Sequence, residues 1–74
     1  MDEQDNIILT VGINIRKWRK KRNMSQEELA KEMNIDRTMV SKWERGKTLI
    51  GIDKISNIAR ILEVNVEMLF ENEK

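Results

Sequence analysis

Gln26-Glu-Glu-Leu-Ala-Lys-Glu-Met-Asn-Ile-Asp-Arg-Thr-Met-Val-Ser-Lys-Trp-Glu-Arg45 decides the fold of this 74-residue chain. Its apolar residues are Leu29, Ala30, Met33, Ile35, Val40 and Trp43. Leu29, Ala30 and Met33 share one helical face by i, i+1, i+4 spacing, and Val40 and Trp43, at i and i+3, share a face of a second helix. Ala30 is small where another helix has to cross close by. Asn34 stands between the two helices, and asparagine tolerates the left-handed backbone that such a tight turn needs. Two short helices at a fixed angle, the second with a polar outward face, make a helix-turn-helix over residues 25–45. That shape suits insertion into a DNA major groove.

The ends of both helices are encoded locally. Ser25-Gln-Glu-Glu28 is a capping box: the Ser25 hydroxyl accepts from the Glu28 amide, and the Glu28 carboxylate accepts from the Ser25 amide. Met24 and Leu29 occupy the positions of a hydrophobic staple across it. Asp36 is placed to cap the second helix, with Ile35 and Val40 as staple. Gly46, just after Arg45, supplies a residue that ends a helix in the left-handed conformation.

Working outward, the spacing predicts a first helix from about Thr10 to Arg22, burying Val11, Ile15 and Trp18 at i, i+4 and i+7 and ending at Asn23. Gly12 inside it costs about 1 kcal/mol relative to alanine, which points to close packing there. A fourth helix is expected over Ile52–Leu62, with Ile55, Ile58, Ala59 and Leu62 facing inward and Asp53 in its first turn. Asn65 is expected to cap a short fifth helix ending near Phe70, with Val64 stapled to Leu69. The expectation is an all-α, compact five-helix DNA-binding domain over residues 7–70. Residues 1–6 and 71–74 are polar and expected to be disordered.

Composition narrows the function. With no cysteine and no histidine, the chain offers no disulfide framework and no zinc site. The longest apolar run, Ile7-Ile8-Leu9, is too short for a membrane span or a signal-peptide core, so a soluble cytoplasmic protein is expected. No glycine-rich phosphate loop and no enclosed carboxylate pair is readable, which argues against an enzyme, and no cofactor or metal is expected. Nor is there room for a domain that binds a small-molecule effector. Net charge is only +1, but it is unevenly spread. Residues 16–47 hold eleven Lys or Arg against five acids, a surplus of +6, and the rest holds three against eight, or −5. A basic middle between acidic ends fits a protein with one polyanion-facing side. Arg16-Lys-Trp-Arg-Lys-Lys-Arg22 alone would read as a solvated helix face; beside a helix-turn-helix it reads as phosphate contact.

Taken in order and spacing, Gly12, Ile15-Arg16, Trp18-Arg19, Ser25-Gln-Glu-Glu-Leu-Ala30, Val40-Ser41, Glu44-Arg-Gly-Lys47, Ile58-Ala59, Leu62, Val64 and Leu69-Phe70 form one pattern across residues 11–70. With it the chain resembles the lambda-repressor-like, Cro-type helix-turn-helix regulators of the Xre family. Asn34 and Glu63 stand where that family often has glycine, so a strained helix end is expected. Ile50-Gly51 lacks the usual proline. Asp36-Arg-Thr38 with Glu44-Arg-Gly46 is also similar to the small controller proteins of restriction–modification systems. Met39 and Lys47-Thr48 depart from that subgroup's aromatic residue and Arg-Asn.

By periodicity Arg37, Thr38, Ser41 and Lys42 face outward, opposite Val40 and Trp43. The resemblance implies that the N-terminal end of this helix points deepest into the groove. Arg37 can give two donors to guanine O6 and N7, Lys42 can reach guanine as a point charge, and Thr38 can touch a thymine methyl. Gln26 resembles the family's phosphate-binding glutamine. With Ser25 it stands at a helix N-terminus rich in free amides, and Arg45, Lys47 and Thr48 are placed along the backbone on the other side. The resemblance further implies a partly buried ion pair between Arg19 and Glu44. Leu49, Ile50, Ile61 and Met68 are apolar where the family is usually small or polar, or where a loop should be hydrophilic. They are the expected interface of a homodimer. The function implied is that of a bacterial or phage transcriptional regulator binding double-stranded DNA on a two-fold operator. The alternative is a protein-interaction module, an antitoxin or adaptor, on the same fold.

Overall fold

The structure, a computed structural model, describes residues 3–72. Four α-helices, α1 (Glu3–Lys21), α2 (Gln26–Met33), α3 (Arg37–Glu44) and α4 (Ile52–Leu62), precede a 3-10 helix at Val66–Leu69. All the described elements are helical, as the sequence predicts, but the fifth is not an α-helix. It is a short turn closed by i→i+3 bonds such as Phe70 N to Glu67 O, and its Asn65 makes no side-chain cap. α1 begins at Glu3 rather than near Thr10. The register of Val11, Ile15 and Trp18 continues backward through Ile8, so the helix runs on through residues that composition alone marks as polar. Of the ends expected to be disordered, residues 3–6 are therefore helical, and residues 1–2 and 73–74 lie outside the described residues. Glu71 and Asn72 are tied back to α1 by the bonds described below.

All four α-helices stop in the same way. Asn23, Asn34, Gly46 and Glu63 take positive φ of 55°, 59°, 67° and 59°. In each case the next residue's amide reaches back five positions: Met24 N to Arg19 O, Ile35 N to Ala30 O, Lys47 N to Lys42 O and Val64 N to Ala59 O. The capping box at Ser25 is present in both directions, at 3.0 Å from the Glu28 amide and 2.8 Å to its carboxylate. Asp36 Oδ1 caps α3 more loosely, 3.5 Å from the Thr38 amide.

Leu29, Ala30, Val40, Trp43, Ile55, Ile58, Ala59, Leu62 and Leu69 close on Val11 and Ile15 as one core, with Met24, Met33, Ile35 and Val64 packed around it. Gly12 is where α1 crosses α3. A Cβ there would overlap the Trp43 carbonyl oxygen and lie 3.1 Å from that of Glu44. Asn14, 1% exposed, is a buried polar residue that the helical pattern does not single out. Its Nδ2 donates to the carbonyls of Leu69 (2.9 Å) and Glu71 (2.8 Å), so α1 holds the end of the 3-10 helix, and Thr10 Oγ1 bonds Asn72 alongside. Residue 14 lies on the Val11–Trp18 face, where only a polar group with a fixed partner can be accommodated.

Candidate nucleic-acid interface

The rigid part of the site lies beneath α3. Arg19, on α1, meets Glu44, at the end of α3, in a two-pronged pair: Nε to Oε2 at 2.6 Å and NH2 to Oε1 at 2.9 Å. Both side chains are nearly sealed from solvent, at 9% and 2% exposure. Arg19 NH1 also donates to the Met24 carbonyl (2.8 Å), at the corner from which α2 starts. A planar guanidinium engaged on all sides fixes three chain segments against each other at once.

On this frame α3 turns Arg37, Thr38, Met39 and Lys42 to solvent and leaves Ser41 half-buried. The Ser41 carbonyl is engaged from behind by Arg45 Nε at 3.3 Å. Because Glu44 is the one acid in α3 and is turned inward, the exposed face of the helix carries donors and no carboxylate. At the start of α2, Ser25 is exposed and its hydroxyl is spent on the cap, while Gln26 is half-buried. The Gln26 amide is bonded on both sides, Nε2 to Glu44 Oε1 at 3.0 Å and Oε1 from Arg37 NH1 at 3.5 Å. That bridge joins a residue expected at phosphate to one expected at a base, and no spacing rule reveals it. Beyond α3, Arg45 and Lys47 are exposed and Thr48 is half-buried.

The cationic run of α1 divides between tasks. Arg19 is buried in its pair, and Arg22 gives Nε to the Leu62 carbonyl (2.7 Å) and NH2 to Glu63 (2.8 Å). Lys17 and Lys21 place their ammonium groups 5.0 and 5.8 Å from the Trp18 ring centroid. Arg16 and Lys20 are the exposed remainder, so much of the run binds the protein to itself.

The apolar residues expected at a dimer contact differ in exposure. Leu49 is 65% exposed, while Ile50 and Ile61 pack partly on the core and Met68 is half-buried. Ile7, Ile8, Leu49, Ile50 and Phe70 line a groove of about 170 Å³ that the sequence pattern did not announce. Among the described residues, no cluster of His, Cys, Asp and Glu could hold a metal, and no helix is long and apolar enough to cross a membrane.

A capped helix-turn-helix on an all-helical core, with no acid on the exposed face of its second helix, is the architecture of the lambda-repressor-like domains. A family model described as "Helix-turn-helix" matches residues 15–69. The control protein C.BamHI of Bacillus amyloliquefaciens is 40% identical over 68 residues, covering 90% of this chain and 84% of that protein. The chain superposes on the hypothetical transcription factor NHTF from Neisseria with a TM-score of 0.84 at 37% identity, covering 96% of this chain and 80% of that one. It superposes on the restriction-modification controller protein C.Esp1396I, solved as a tetramer with its natural 35 base-pair operator, with a TM-score of 0.75 at 34% identity, covering 86% and 84%. The chain belongs to the Cro-type helix-turn-helix family of DNA-binding transcription regulators, the Xre family. It spans about half the length, 48%, of an HTH-type transcriptional regulator of Sinorhizobium medicae to which it is 36% identical over 66 residues.

Proposed function

We propose that the chain binds double-stranded DNA sequence-specifically as a cytoplasmic transcriptional regulator. In this reading it sits as a homodimer on a two-fold operator with α3 in the major groove. One observation carries this: α3 exposes Arg37, Thr38 and Lys42 and hides its single acid against Arg19. A face of that kind has no use in a fold-only scaffold, and a carboxylate left on it would repel phosphate. Arg37, Thr38, Ser41 and Lys42 read bases, and Ser25, Gln26, Arg45, Lys47 and Thr48 hold the backbone through side chains or local amides. That C.Esp1396I was solved on its operator supports the same use of the shared fold.

Selection of bound sequences from a random DNA pool, at one stated salt concentration, tests the proposal. The expected return is a half-site repeated with two-fold symmetry about one helical turn away. An empty selection favours the protein-interaction module instead. The 84% coverage of C.BamHI supports a narrower second reading, a controller of a restriction–modification system. Footprinting on the DNA flanking the chain's own gene distinguishes it, since a controller should protect sites next to such genes.

A further inference from the structure

Glu44 accepts from three donors, Arg19 Nε, Arg19 NH2 and Gln26 Nε2. A carboxylate paired with a guanidinium can only accept, so it dictates which end of the Gln26 amide turns inward. The NH2 faces Glu44 and Oε1 faces out. There Oε1 meets the guanidinium of Arg37, the first residue of α3. Turned over, the amide would set oxygen against oxygen at Glu44 and donors against donors at Arg37. The polarity of one buried acid is thus passed through a single amide to the head of the reading helix.

We infer that Glu44, acting through Gln26, is a positioning residue for base recognition. It restrains the Arg37 guanidinium before DNA arrives and so sharpens the preference at the base pair that Arg37 reads. The inference rests on Arg37 being a base contact, as proposed above. An arginine already restrained gives up less side-chain freedom on binding, and it gives up less for the right base in the right place. The role of Gln26 at the backbone changes with it. One Nε2 hydrogen belongs to Glu44, which leaves the other, with the α2 amides, for phosphate.

Gln26→Met tests the bridge, because it retains the side-chain length, the Arg19–Glu44 pair and the Ser25 cap. In the free protein, nitrogen relaxation at Arg37 Nε should report a more mobile side chain in Gln26→Met than in the parent. Glu44→Gln, which can offer Gln26 either oxygen or nitrogen, should loosen Arg37 in the same way. Arg37 order that survives Gln26→Met overturns the bridge, and order that survives Glu44→Gln alone makes Glu44 purely structural. On DNA at fixed salt, the affinity ratio between the selected site and one altered at the Arg37 base pair should fall about three- to tenfold in Gln26→Met. Equal weakening on both sites, with the ratio intact, overturns the positioning role and leaves Gln26 a backbone contact. A parent without base preference counts against Arg37 as a base contact, and the free-protein relaxation then decides the bridge by itself.

Discussion

If α3 reads DNA as proposed, an acid on it has to be shielded from phosphate, and Glu44 is buried against Arg19. Removing it leaves a guanidinium with two donors facing a sealed site. Glu44→Ala should therefore lose up to roughly 3–5 kcal/mol of stability in denaturant unfolding. Unchanged stability with lost DNA binding would contradict the structural role. Arg37 and Lys47 should separate in the opposite way, because the proposed function aims one at bases and the other at the backbone. Arg37→Ala should cost about 1–3 kcal/mol and relax preference at one base pair. Lys47→Ala should weaken all sequences alike and flatten the salt dependence by about one unit of slope. An Arg37→Ala protein that keeps its full sequence preference would reverse the assignment. Thr38 and Lys42 were legible beforehand because helical period and burial carry the same information: once Val40 and Trp43 face in, those two must face out, while Arg37 lies to the side and is exposed at the first position of the helix. The Gln26–Glu44 bond was not legible. It joins residues on different helices, and an isolated amide has no preferred direction.

At the level of elements, what can be read from sequence is what is settled within about five residues. The Ser25 box, the Asp36 cap and the left-handed stops at Asn23, Asn34 and Gly46 are all of that kind. The buried Asn14 is not, since it depends on the Leu69 and Glu71 carbonyls that the far end of the chain brings against the helix. Glu63 is the left-handed stop without a local reason. A residue with a Cβ pays about 1–2 kcal/mol in that conformation, and neither glycine's freedom nor asparagine's short side chain is present to reduce it. Arg22 partly offsets this by bonding the Leu62 carbonyl and the Glu63 carboxylate, but the latter pair is exposed and contributes little. Glu63→Gly keeps the Leu62 bond and removes the strain. It should gain about 0.5–1 kcal/mol, seen as a melting temperature higher by about 2–8 °C. A lower melting temperature would mean that the Arg22–Glu63 pair outweighs the backbone.

The whole molecule has two unlike regions. The basic middle of the chain, with its +6 surplus, holds α3 and the turns around it, and the acidic remainder includes α4 and the 3-10 helix. A helix-turn-helix of this size reads few base pairs, so useful specificity calls for two copies on a two-fold site. Apolar surface for such a contact exists, unevenly exposed. Leu49 stands 65% exposed in the groove with Ile7, Ile8 and Phe70, while Ile61 is half-buried on α4 and packs partly on the core. An isologous interface needs one self-complementary face, so these residues should not all be buried to the same degree. Sedimentation of the parent, Met68→Glu and Leu49→Glu decides which group forms it. The expected result is a dimeric parent that Met68→Glu dissociates. Dissociation by Leu49→Glu alone would move the contact to the groove. A parent that stays monomeric at high concentration, and occupies DNA as a monomer, would rule the dimer out.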